Sequence, residues 1–143
     1  MTALRGSELT VGQTFEAVVV QDLKRTQIVQ YAGASGDYNP LHTDDVYATK
    51  VAGYPSVFAH GMLTMGLTGQ AVTALAGPEN LLRFGVRFTA QVWPGDTLTV
   101  RATVAAITAG DDGPAAELIL STVNADGREV MSGYAQVRLA GSA

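Results

Sequence analysis

The sequence predicts an α+β fold in which a curled antiparallel β-sheet wraps one long central α-helix. Three observations carry this. From Val51 to Pro78 there is no Asp, Glu, Lys or Arg, and the segment from His60 to Ala76 has helical length and composition. After Pro78 the chain changes to a period of two and keeps it to Leu139, interrupted only by turn signals. A single strand-like segment, Phe15–Val20, precedes the helical part. A sheet covers a helix from one side, so it must curl, and the other side then needs a lid or a second subunit. The length, 143 residues, fits one domain spanning 1–143.

Residues 1–13 read as an irregular lead-in that ends in the turn Val11-Gly12-Gln13, before the first strand. Leu23, Ile28, Tyr31 and Ala32 then share one face of a short helix over about residues 24–33. Asp22 is its candidate N-cap, and Gly33 and Gly36 mark its end. Asn39 precedes Pro40, which biases Asn39 towards extended backbone. Pro40 fixes its own φ, so the segment from Asp37 to His42 is a stiff turn. Thr43–Lys50 is expected to form a short helix with Thr43 as N-cap and Asp44 and Asp45 in its first turn.

The main helix, His60–Ala76, is apolar almost all round, which predicts burial all round. Gly66 and Gly69 lower its helix propensity by about 1 kcal/mol each against alanine, and are expected to admit another backbone. Gly77-Pro78 ends it. Leu81–Val92 follows as a strand with Leu82, Phe84, Val86 and Phe88 on one face. Pro94-Gly95-Asp96 is a turn, and Leu98, Val100, Ala102, Val104 and Ala106 give the cleanest alternation in the chain. Residues 110–114 form a turn or loop. Glu117–Val123 and Arg128–Leu139 pair through the hairpin signal Asn124-Ala125-Asp126-Gly127.

Composition narrows the function. The net charge is −4 with no basic cluster, which argues against a nucleic-acid partner. There is no cysteine, so disulfides, thiolate catalysis and Cys-ligated zinc are excluded. A transmembrane helix needs about 20 predominantly apolar residues. The uncharged stretch instead carries Pro55 and several polar residues, so a core helix is expected and no membrane role. The N-terminal residues have no apolar core of a signal peptide, and a soluble cytoplasmic protein is expected. Only 15% of residues are charged, in keeping with a surface partly covered by a partner.

The chemistry concentrates in Tyr31–Thr64. Both histidines of the chain, His42 and His60, lie there, and Asp37 stands five residues from His42 across the proline. Taken singly, Asp37 is a turn former and His42 a hydrogen-bonded structural histidine. Together with the opening of the main helix they offer an acid, an imidazole and a helix N-terminus on one short piece of chain. The spacing of Asp37, His42 and His60 matches no common zinc pattern, so no metal is expected. Arg83, Arg87 and Lys50 are candidate phosphate contacts, but a solvated strand face is the preferred explanation.

Two stretches, Tyr31-Ala32-Gly33-Ala34-Ser35-Gly36-Asp37-Tyr38-Asn39-Pro40-Leu41-His42-Thr43-Asp44 and Ala59-His60-Gly61-Met62-Leu63, resemble the hydratase motif of the MaoC-like family. The run Ala59–Gly66 is especially similar to catalytic subunits of type II fatty-acid synthase dehydratases that make very long acyl chains. The resemblance implies a hot-dog fold and the reversible hydration of trans-2-enoyl thioesters to (3R)-3-hydroxyacyl thioesters, with a CoA or acyl-carrier-protein thioester as substrate. It implies no cofactor, and a homodimer or a heterodimer with another hot-dog subunit. It assigns Asp37 and His42 as the catalytic pair holding one water, and the Gly61 backbone N–H as the oxyanion donor. Asn39 and Pro40 would position the loop, and His60 would shape the helix start. One position departs from simple enoyl-CoA hydratases: where they carry a serine that bonds the catalytic Asp, this chain has Gly69, beside Thr68. A thioesterase on the same fold would need a carboxylate on the central helix, which has none. A non-catalytic hot-dog subunit would have no use for both Asp37 and His42.

Overall fold

The computed structural model describes residues 4, 9–110 and 113–140. In chain order the elements are β1 (Thr14–Val20), α1 (Arg25–Ser35), a 3₁₀ turn Pro40–His42, a π-helical turn Tyr47–Val51, α2 (Gly61–Ala76), a second 3₁₀ turn Pro78–Asn80, β2 (Leu81–Phe88), β3 (Leu98–Gly110), β4 (Gly113–Asn124) and β5 (Glu129–Arg138). The sheet order is β1-β3-β4-β5-β2, with every neighbouring pair antiparallel. The strands that flank the helical insert in sequence are therefore the two edges of the sheet. Five strands laid flat span about 19 Å, and a helix is about 10 Å across. Yet α2 touches both edge strands as well as β3 and β5. The sheet reaches it on both sides only by curling, and this is the expected hot-dog arrangement.

The core lies between α2 and the sheet. Val72 and Ala76 pack with Ala102, Val104, Leu118, Leu120, Ala135 and Val137, the inward residues of three central strands. A second apolar cluster joins Leu23 and Ile28 of the α1 region to Ala59, Val92, Leu98 and Val130. It seats α1 and the approach to α2 on one end of the sheet, which is what brings the loop after α1 against the start of α2.

Several expectations are corrected. Within one chain α2 is not buried all round. Its buried residues are Thr64, Thr68, Val72 and Ala76, one stripe at a spacing of four, whereas Met62 is 55% exposed and Gly66, Gln70 and Ala74 face outwards. Apolar composition records that a face avoids water in the functional state, not which chain covers it. Two of the four buried positions are threonines, and the hydroxyls of Thr68 and Thr122 hydrogen bond at 2.7 Å in a fully buried pair. Gly69 admits an aromatic ring rather than a backbone: a Cβ there would stand 3.3 Å from the Phe84 ring, and Gly66 has nothing close.

Asp22 does not cap α1. It takes a left-handed φ of 49° and pairs with Lys24, while the Lys24 N–H donates to Gln27 Oε1 (3.0 Å) across the first turn. Gly33 lies inside α1, and Gly36, at φ 76°, ends it. After the proline turn, Asp44 rather than Thr43 caps the next helical segment, its Oδ1 accepting from the Tyr47 N–H at 3.0 Å. In β2 a bulge between Leu81 and Arg83 turns Leu81, not Leu82, towards the core, leaving Leu82 43% exposed on the edge. The hairpin at Asn124–Gly127 forms as expected: Gly127 has φ 79°, and Asn124 Oδ1 accepts from the N–H groups of Asp126 and Arg128. Among the described residues no helix is long and apolar enough to cross a membrane.

The Thr68–Thr122 pair sets a stability test. Thr68→Val leaves the Thr122 hydroxyl buried without a partner, at an expected cost of about 1–3 kcal/mol. The double replacement by valine should cost less than the sum of the two single ones, measured by urea unfolding as a double-mutant cycle.

Candidate active site

A series of short polar turns builds the loop after α1. Ser35 Oγ accepts from the Asp37 N–H (3.2 Å), Asp37 Oδ1 from the Asn39 N–H (3.2 Å), and Asn39 Oδ1 from the Leu41 N–H (3.0 Å). Asn39 sits at ψ 125°, the extended geometry that a following proline demands. Pro40 then opens the 3₁₀ turn, and the Asn39 carbonyl accepts from the His42 N–H at 3.0 Å. The two carboxylate oxygens of Asp37 are thereby separated in use. Oδ1 is engaged within the loop, and Oδ2 faces His42 Nε2 at 3.9 Å.

Both imidazoles are buried, and both are held by backbone carbonyls. His42 Nδ1–H donates to the Phe58 carbonyl at 2.7 Å, which leaves Nε2 as a lone-pair acceptor directed at Asp37. His60 Nε2–H donates to the Asp37 carbonyl at 3.0 Å. The two rings stack with centroids 3.8 Å apart and 25° between planes, Tyr31 of α1 lies 4.9 Å from His60, and Phe58 meets His42 edge-on at 5.3 Å. Burial pushes the His42 imidazole below its ordinary pKa of 6.5. The Phe58 carbonyl opposes that shift, the neighbouring His60 adds to it, and Asp37 opposes it. His42 is therefore neutral at pH 7.

His60 occupies the N-cap of α2 through its backbone; its carbonyl accepts from the Leu63 and Thr64 N–H groups, and its side chain makes no capping bond. The next residue, Gly61, is the first of the helix, so its N–H has no intrahelical partner, and it has none elsewhere among the described residues. Gly61 lines a cleft of about 310 Å³ together with Phe58, Thr64, Phe88, Gln91 and Val130. A Cβ at Gly61 would meet the Phe88 ring at 3.2 Å, so the helix start has room for glycine only while that ring stays in place. Asp37 and His42 do not line this cleft. Phe58 is common to both regions: its carbonyl holds His42, and it forms part of the cleft wall.

The structure thus brings Asp37, His42 and His60 together, with one potential ligand atom of each within 4.8 Å of the others. This is the one such trio among the described residues. His42 Nδ1 and His60 Nε2 are each committed to a backbone carbonyl, on stacked rings 25° apart. Arg83 is placed over the Tyr134 ring, 5.7 Å from its centroid, on the sheet. Sequence reasoning missed Phe58, Thr64 and Phe88. Thr64 carried a usable signal, since it follows His60 by one helical turn.

The chain resembles known proteins over most of its length. The family described as "MaoC like domain" matches residues 7–124. The 3-hydroxyacyl-thioester dehydratase Y of Mycobacterium tuberculosis is 39% identical over 97 residues, covering 60% of this chain and 33% of that protein. The probable enoyl-CoA hydratase 2 of Dictyostelium discoideum is 31% identical over 120 residues, covering 82% of this chain and 38% of that protein. The chain therefore spans little more than a third of the length of these curated relatives. The unliganded R-hydratase PhaJ1 from Pseudomonas aeruginosa superposes with a TM-score of 0.83 at 29% identity, over 98% of this chain and 88% of that one.

The lowered His42 pKa has a measurable consequence. Between its folded value and 6.5 the unfolded chain binds a proton that the folded protein refuses. The stability it contributes is complete above 6.5 and is lost as pH falls through the folded value. Urea unfolding from about pH 7 to about pH 5 should therefore show a steeper loss of stability in the wild type than in His42→Gln, which lacks the group.

Proposed function

The chain belongs to the MaoC-like domain family, and from that premise we propose that it interconverts trans-2-enoyl and (3R)-3-hydroxyacyl thioesters by adding and removing water. One observation carries this reading. Two hydrogen-bond acceptors, Asp37 Oδ2 and His42 Nε2, stand 3.9 Å apart, and the free amide of Gly61 begins the next helix. Two acceptors at that separation suit the two O–H bonds of one water, each donated over about 2.8 Å.

In the hydration direction the pair takes a proton from this water as its oxygen bonds to C3 of the enoyl group. Negative charge develops on the thioester oxygen as the C2–C3 double bond opens. The Gly61 N–H donates to that oxygen, and the dipole of the sixteen-residue α2 reinforces it. The proton taken from water returns through the pair to C2, so the pair ends as it began. Dehydration retraces the same path. Asn39 and Pro40 serve by fixing the loop, through the turn bonds described above. No step calls on a cofactor or metal.

The R stereochemistry is carried over from the P. aeruginosa hydratase, and the thioester class from the named relatives. The carrier is CoA or acyl-carrier protein. The chain acts as one domain, 1–143, with a second hot-dog subunit, identical or not, covering the outward face of α2 where Met62 is exposed. A thioesterase reading is disfavoured because α2 holds no Asp or Glu to activate water for acyl transfer.

Asp37→Asn and His42→Gln should each lower turnover by about a hundredfold or more, with folding intact by circular dichroism, in an assay that follows loss of 2-enoyl-CoA conjugation by ultraviolet absorbance. Near-full activity in either variant contradicts the assignment, and release of free thiol would favour the thioesterase. Light scattering at micromolar concentration should show a dimer, alone or after a second subunit is added; a persistent monomer with full activity contradicts that part.

A further inference from the structure

His60 is the second buried imidazole, and nothing in the reaction scheme uses its ring. It is 2% exposed, and its Nδ1 is the one buried side-chain polar atom without a hydrogen-bond partner among the described residues. A buried acceptor left unpaired is destabilising. A phenyl ring of similar size would fill the space between Tyr31 and His42 without that cost. The polar ring must therefore do something that a phenyl ring cannot. Its side chain does not cap α2. Its single polar contact is the 3.0 Å bond from Nε2–H to the Asp37 carbonyl, and its largest ring contact is the 3.8 Å stack on His42.

We infer that His60 is a positioning residue for the Asp37–His42 pair: its Nε2–H pins the backbone of Asp37 while its ring face sets the plane of His42. The inference rests on the catalytic reading of that pair. One rigid side chain thereby touches both partners, and its own backbone carries the chain into the Gly61 amide. Displacing either partner changes the separation of the two acceptors, and so the fit of the water between them.

Two substitutions separate positioning from simple packing. His60→Phe keeps the ring and the stack but removes the donor. His60→Gln keeps a donor at the same distance along the side chain. For H60F we expect kcat to fall by about tenfold to a hundredfold, as for a misplaced reacting group, with KM nearly unchanged and the melting temperature equal or higher. H60Q should recover most of the lost kcat. Wild-type kcat in H60F overturns the inference, and so do equal losses in H60F and H60Q that follow a loss of thermal stability. If H60F does not fold, H60Q and the shorter His60→Asn carry the comparison, and equal activities overturn it. Asp37→Asn in the same assay separates the two levels. An inactive D37N beside a fully active H60F removes only the role of His60, whereas an active D37N removes the catalytic reading and this inference with it.

Discussion

Two crossed hydrogen bonds hold the site together. His42, on the loop, donates to the Phe58 carbonyl just before α2, and His60, at the start of α2, donates back to the Asp37 carbonyl on the loop. Each imidazole uses one nitrogen to fasten the other's backbone segment, and the stacked rings close the space between the two bonds. Loops anchored at one end drift relative to the scaffold; this one is tied at both ends of its chemically active stretch. The bond lengths of 2.7 and 3.0 Å, inside a largely water-excluded patch, make these ties stronger than exposed bonds of the same kind.

That constraint explains the division of labour along the chain. The hot-dog sheet contributes none of Asp37, His42 and His60. It supplies the surface on which α1 and α2 are seated, through Ile28 and Leu23 on one side and Ala59 and Val130 on the other. Once both helices are seated, the end of α1 and the start of α2 face each other, and the proline turn spans the gap. The pair and the amide then differ in setting. Asp37 remains exposed to the solvent side, His42 is buried, and Gly61 opens into a cleft walled by Phe88 and Thr64. A polar pair at one end and a partly apolar cleft at the other suit the thioester proposed above.

Much of the fold was legible because its signals are local. Alternation in β3, the glycine and proline stops after α2, and the Asn124–Gly127 hairpin follow from short-range sequence, and all formed at or near the expected places. The failures share a different cause. The burial of α2 depends on what lies against it in space, and an apolar helix looks the same whether its cover is its own sheet or another chain. Leu82 alternates correctly on paper, but a bulge beside it shifts the register, and bulges leave little trace in the residues themselves. Asp22 has the chemistry of a cap but not the backbone, and Asp44 displaced Thr43 for the same reason. At the site, the approach of Asp37 to His42 was legible because proline fixes a short span. The bond that His60 makes to the loop was not, because its partner lies 23 residues away and is a backbone carbonyl, which no side-chain pattern reveals.

The crossed arrangement requires a proton on Nδ1 of His42 and on Nε2 of His60, opposite nitrogens of the two rings. Nitrogen-15 chemical shifts of the two imidazoles at neutral pH read this directly. One ring in each tautomer, with the Nδ1–H form assigned to His42 by comparison with His42→Gln, is the result the account requires. Both rings in the Nε2–H form would contradict it.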